Sequence, residues 1–359
     1  MTKRLFCFIA LSLLALPGRA DDGIYFMADA DSYAAPIAIK AFITGWHGSL
    51  HGGDTAFADA DVESGLRLGS NSVGYVWRYD YLLDFSPQTA AIYYEYKNRL
   101  TPMPQQLQSL SIDVNHVETR GMQFAHEFQL REAGDWRLRA AVNLLKGTQL
   151  TVGTLDGAAQ FSGPDFKPDS IASLEADIDY RYSHPALHEQ DLDWFPPAPE
   201  GDGYGLDVDL KGDFSARTHA SLSVRNALGY VYWKDVPATR YDLSCQCSVS
   251  EYDATGQLQI DRRYRQTLPR QEHASLHYDL SPHWYAAGDI LGNPLVTFAS
   301  AGLGHQQGGG HEELRLEPQT RSLIVEAGYK TCGLRWQADR VDPAEARRFG
   351  LSLYGELAW

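Results

Sequence analysis

Leu351-Ser352-Leu353-Tyr354-Gly355-Glu356-Leu357-Ala358-Trp359 ends the chain. Leu351, Leu353, Leu357 and Trp359 share one face at period 2, with Gly355 among them, while Ser352 and Glu356 fall on the other. A strand of this kind has one face for lipid, one for a lumen, and an aromatic for the membrane interface. The same alternation recurs upstream. Tyr75, Trp77, Tyr79, Tyr81 and Leu83 alternate with Val76, Arg78 and Asp80, and Trp136, Leu138, Ala140, Val142 and Leu144 alternate with Arg137, Arg139 and Asn143. Leu174 to Tyr182, Tyr204 to Leu210 and Leu334 to Ala338 repeat the pattern.

A soluble β-sandwich alternates too. Three features favour a barrel in a membrane. The chain has 20 Tyr and 8 Trp, many on the apolar faces, as interfacial girdles require. No segment reads as an amphipathic helix, and both ends carry export features. The terminal strand resembles the signal by which Gram-negative outer-membrane barrels are assembled, carried here by Leu351, Leu353, Leu357 and Trp359. That resemblance implies an all-β, antiparallel up-and-down transmembrane β-barrel of about 14–16 strands in the cell outer membrane. Outer-membrane lipid, lipopolysaccharide and the barrel-assembly machinery are the implied partners. Length and the N-terminal segment also resemble the outer-membrane transporters of fatty acids and hydrocarbons. Their early Asn-Pro-Ala element is missing from the matching region. General porins are similar in size and polar lumen.

Met1 to Ala20 reads as a secretory signal: Lys3 and Arg4 precede an apolar run from Leu5 to Leu16, and Pro17-Gly18-Arg19-Ala20 suits cleavage. The run is too short to span a bilayer, which takes about 20 apolar residues. Removal leaves 359 − 20 = 339 residues, with 28 basic (31 less Lys3, Arg4 and Arg19) against 46 acidic, a balance of −18. So acidic a chain argues against nucleic-acid binding. Residues 21–61 are expected to form an N-terminal periplasmic segment, an extra strand or a lumenal plug, and 62–359 the barrel.

Sixteen strands are predicted: 62–69, 72–83, 89–97, 120–130, 135–145, 148–161, 172–182, 203–213, 217–233, 271–281, 283–291, 295–303, 311–317, 321–330, 332–340 and 349–359. With the C-terminus periplasmic, the short links Asp84–Gln88, Glu132–Gly134, Phe214–Ala216, Pro282 and Thr331 are periplasmic. The long links Asn98–Thr119, Ser183–Asp202 and Lys234–Arg270 are external. Cys245 and Cys247 then lie outside and Cys332 at a periplasmic turn, so no disulfide should join Cys332 to either.

Charged residues on inward faces are the one constellation with chemical content. The candidates are Arg78, Asp80, Glu95, Glu127, Arg137, Arg139, Glu175, Asp177, Asp179, Arg181, Asp207, Asp209, Arg225, Asp279 and Arg335. Opposed acidic and basic walls orient polar solutes in a water-filled lumen; cross-strand pairing that merely fills the interior is the alternative. Catalysis is not expected. Gly350 to Gly355 misses the Gly-x-Ser-x-Gly spacing, and Pro185 spoils the His184–His188 pair as a zinc helix. No cofactor or metal is implied. Passive passage of a small solute is the leading expectation, a non-conducting structural or surface-interaction barrel the alternative, and transport of apolar compounds the third.

Overall fold

The computed structural model describes residues 22–100, 105–130, 135–162, 171–187, 189–245 and 252–359, and counts and absences below refer to these. The expected signal, Cys247 and the Glu132–Gly134 link lie outside them. Alternating side chains build one antiparallel sheet: β1 (Gly23–Ala34), β2 (Thr55–Leu68), β3 (Asn71–Phe85), β4 (Gln108–Leu130), β5 (Trp136–Phe161), β6 (Ile171–Tyr182), β7 (Glu200–Ser215) and β8 (Thr218–Cys245) come first. β9 (Tyr252–Thr267), β10 (Gln271–Asp279), β11 (Trp284–Gly292), β12 (Thr297–Gln307), β13 (Gly310–Glu317), β14 (Ser322–Tyr329), β15 (Cys332–Ala338) and β16 (Arg348–Ala358) complete it.

The sheet closes where β1 pairs with β16, Gly23 opposite Ala358. Sixteen strands fill fourteen positions around the circumference. β7 and β6 lie end to end along one edge of β5, opposite residues 137–147 and 151–161. β10 and β9 likewise share one edge of β8, opposite 218–225 and 230–245. β5 has 26 residues and β8 has 28, far beyond the roughly 9–11 that span a bilayer. The β4–β9 side therefore rises as a wall above the rest of the barrel.

Several expectations need correction. The first barrel strand is β1, not 62–69, so of the alternatives for this segment the extra strand holds and the periplasmic tail and plug do not; residues 22–61 supply β1 and half of β2. Segment 89–97 is not a strand but lies in helix α2 (Pro87–Asn98), which follows a shorter helix, α1 (Ile39–Thr44). The Ser86 side chain accepts the Thr89 N–H and Pro87 opens the first turn, two ordinary start signals. Residues 135–145 and 148–161 are one strand. A bulge opposite Glu118/Thr119 shifts the alternation there, which reads in sequence as a break. β9 was not expected at all.

Links 69–70, 216–217, 280–283, 308–309 and 330–331 make a short-turn rim shared with both described ends, where the Trp359 N–H donates to the Asp22 carbonyl. Residues 35–54, 86–100, 105–107, 183–187, 189–199 and 339–347 lie at the opposite, long-loop rim. Asp84–Gln88 belongs to that rim, because counting 89–97 as a strand inverted the direction of everything before it. Above the barrel, α1 and its loop bury Ile37 and Trp46 with Phe85 and Ala90, and Ile92 of α2 packs on Phe161.

Phe26, Tyr75, Phe124, Val142, Leu228, Ile290, Leu303 and Leu314 point outward and are exposed, whereas Asp61, Arg78, Asp80, Asp207, Arg315 and Arg348 point inward and are buried. A water-soluble domain has the reverse arrangement. No helix is long and apolar enough to cross a membrane. Cys245 is disulfide-bonded, and Cys332 is free and exposed at the short-turn rim.

Candidate functional site

Inward positions on β2, β3, β7 and β8 bring together the first of three ionic clusters at mid-height. Arg78 places Nε 3.3 Å from Asp61 and one terminal nitrogen 2.6 Å from Asp207 and 3.5 Å from Glu63; its other nitrogen donates to Asn226 at 3.0 Å. Arg225 reaches Asp59, Asp61 and Asp80 at 3.2–3.3 Å. Arg139 donates to Asp209 at 2.8 Å and to Gln123, whose amide donates to Glu63 and Asn143.

A second cluster on β11, β13, β14 and β15 joins Arg315 to Asp289, to Glu313 at 2.7 Å and to Glu326 at 3.1 Å, with Arg335 3.7 Å from Asp289. The third surrounds Arg348, which binds Asp31 and, at 3.1 Å, Glu317, and lies 4.6 Å from the Phe298 ring centroid. Burial of so many charges is tolerated because each is ion-paired, although the Nε atoms of Arg78, Arg225 and Arg315 and one terminal nitrogen of Arg348 lack a well-aligned hydrogen bond.

Beside the first cluster the interior turns apolar. Val76, Val117, Leu145, Leu150, Val231, Trp233, Val236 and Leu268 pack as a layer across the β3–β8 side. Trp233 donates from Nε1 to Gln266, and its ring lies against Gly147 and Gly201. A Cβ on Gly201 would sit 2.7 Å from that ring, so glycine is what admits the indole.

Beside this layer lies a cavity of about 450 Å³ lined by Leu82, Leu228, Tyr230, Leu268, Pro294 and Leu295 together with Asp84, Asp113 and Arg270. It adjoins Asn226, a non-glycine residue with φ 51° at a break in the β7–β8 register. The inward face of the wall above it is acidic. Asp156, Asp177 and Asp242 sit side by side on β5, β6 and β8, and Asp84 faces Asp113. Burial, then the neighbouring Asp84 and Asp156 carboxylates, hold the Asp113 pKa above its ordinary value. At the short-turn rim a polar vestibule, with cavities of about 460 and 550 Å³, is lined by Arg67, Arg137, Lys211, Asp213 and His219.

Of the candidates, Arg78, Asp80, Arg139, Asp207, Asp209, Arg225 and Arg335 line the mid-lumen. Glu127 and Arg137, 3.8 Å apart, border the vestibule, and Asp279 meets His219 at the same end. Glu95 does not face the lumen, because it sits on α2, where burial raises its pKa. Glu175, Asp177, Asp179 and Arg181 belong to β6 and face the space above the barrel; Arg181 bonds Asp179 and Asp261. Sequence reasoning missed Asp31, Asp59 and Asp61, whose alternation with Ala28, Ala30, Ala58 and Ala60 was available in the segment left open between tail, extra strand and plug; it also missed Asp289, Glu313, Arg315, Glu317 and Arg348 of the other two clusters. No set of three or more metal-ligating side chains is assembled among the described residues.

No family model matches the chain, and no curated protein matches it. Solved structures with a similar path include the Pseudomonas putida toluene transporter TodX, with 9% identity, TM-score 0.41, and coverage of 94% of this chain and 89% of that one. The Ralstonia pickettii toluene transporter TbuX has 10% identity and TM-score 0.30, over 95% and 90% of the two chains. The Escherichia coli outer-membrane protease OmpT has 7% identity and TM-score 0.23, over 94% and 95%. At such identities, and with TM-scores under 0.5, function has to be read from this chain's own geometry.

Proposed function

We propose that the chain is an outer-membrane transport barrel that takes up a small, largely apolar solute at its external mouth and is closed to ions at rest. The short-turn rim is then periplasmic and the long-loop rim external, as in bacterial barrels generally. One observation carries the reading: a largely apolar cavity of about 450 Å³ stands at the external side of a waist lined by paired charges and narrowed by the Trp233 layer. That volume suits a compound of one or two rings, within the usual range for ligand sites.

The test combines planar-bilayer recording with uptake. Refolded protein is expected to show no steady single-channel current, yet to speed entry of a small aromatic probe into vesicles, with Leu268→Arg abolishing that gain. A steady ohmic current would sink the closed-waist reading. Silence in both assays would favour the non-conducting alternative, to which the narrowed waist already lends weight.

Orientation has its own check. A bulky maleimide added to intact cells is expected to leave Cys332 unlabelled and to label it after the outer membrane is permeabilised. Labelling of intact cells would reverse the topology.

A further inference from the structure

On one side of the barrel the outward apolar band ends in a row of cations. The ladder sets Trp77, Arg120, Lys146, Asp202, Tyr232 and Arg265 opposite one another across β3, β4, β5, β7, β8 and β9. One step further up, Lys234 faces Glu200 and Arg263. Alternation fixes their direction. Each follows the outward apolar series on its strand, as Lys146 follows Leu138, Ala140, Val142 and Leu144.

Height follows from the same strand. Ten residues separate Trp136 from Lys146, about 33 Å of strand, or about 25 Å when tilted as barrel strands are, which matches the apolar band. The row therefore stands at the external boundary of that band. Directly below it Tyr204 and Tyr230 cluster with Tyr232 of the row, and Arg265 lies 4.9 Å from the Tyr230 ring centroid. Lys146 pairs with Asp202, and Glu118 accepts from Trp77. Arg120, Lys234 and Arg263 are exposed and have no ion pair among the described residues. Five cations against Glu118, Glu200 and Asp202 leave this face positive on a chain whose net charge is −15.

We propose that this row docks the phosphorylated headgroup of an outer-leaflet glycolipid, with acyl chains lying along Leu144, Leu206 and Leu228 beneath it. The proposal rests on the membrane orientation given above. Cations alone would serve any anion; cations joined to an apolar strip of membrane height and an aromatic ledge suit an amphiphile with an anionic head.

The test uses the refolded full mature chain in zwitterionic micelles, with lipopolysaccharide and its enzymatically dephosphorylated form as probes. The combined variant Lys234→Gln, Arg263→Gln, Arg265→Gln is compared with a control carrying Arg321→Gln and Arg340→Gln, exposed at the same rim. The triple variant is expected to lose affinity for the phosphorylated form by on the order of 100-fold, as three interfacial cations should contribute. The control should lose little, and the dephosphorylated form should bind weakly to every variant. Equal binding of the two lipid forms, an unaffected triple variant, or full displacement by millimolar inorganic phosphate would each overturn the proposal. Heat-modifiable electrophoretic migration reports folding of each variant. Failure of the unaltered protein to enter lipid vesicles would overturn the membrane reading itself, and this site with it.

Discussion

Arg78→Met is expected to destabilise the barrel by about 3–5 kcal/mol, the usual consequence of removing one partner from a buried ionic group. Methionine keeps most of the stem but leaves Asp61, Glu63 and Asp207 without the guanidinium that now touches all three. Those carboxylates are shielded from water, with Asp61 2% and Asp207 5% exposed. They must then protonate, draw in water or move apart. Arg78→Lys should recover only part of the loss, because a point ammonium cannot reproduce a planar fork that meets Asp61, Asp207 and Asn226 at once. Urea midpoints in lipid vesicles would measure this. Adding Asp207→Asn to Arg78→Met should return some stability through the coupling of the pair. A loss below about 1 kcal/mol for the single variant would mean that the waist is hydrated and the cluster dispensable.

Trp233→Ala carries the other large effect. Loss of a fully buried indole costs about 3–5 kcal/mol in a packed interior. Here it also removes the largest side chain from the apolar layer on the β3–β8 side of the lumen. The expected result is lower thermal stability together with measurable single-channel current, where the unaltered protein gives none. Gly201→Val approaches the same state from the other side, since the added carbons displace the ring without removing it. Both variants losing stability with no gain in current would show that the ion-pair layer seals the waist by itself.

Much of the architecture was legible because lipid on one side and charge on the other force a strict two-residue rhythm. β3, β7, β15 and β16 follow it without interruption, and their faces fall as their sequences imply. The rhythm fails where membrane does not impose it. β9 lies above the apolar band, so Thr255, Gln257 and Gln259 meet no requirement for an apolar face, and nothing distinguishes the segment from a polar loop. In α2, Ala90, Ile92, Tyr94 and Tyr96 recur at every second position and imitate a strand, although Ser86-Pro87 announces a helix. β5 was divided because its bulge shifts the phase between Leu144 and Leu150. The lumenal site was half legible: many inward charges on recognised strands were found, Glu63, Asp289, Glu313, Arg315 and Glu317 were overlooked on theirs, and Asp31, Asp59 and Asp61 were lost with segments not read as strand. Which cation meets which carboxylate depends on strands that face each other across the lumen, such as β2 and β8, far apart in sequence, and alternation holds no record of that.

The seam between β1 and β16 also governs how the molecule comes into being. Gly23 finds Ala358, and Tyr33 finds Arg348, only after nearly the whole chain lies between them. Contacts of such high sequence separation carry a large loop-closure cost and slow the search for the native state. Until they form, both seam strands present bare backbone edges, the kind of surface that pairs with the wrong neighbour. Closure is thus a single late event, and a nascent chain missing its last strand is an open sheet awaiting a partner.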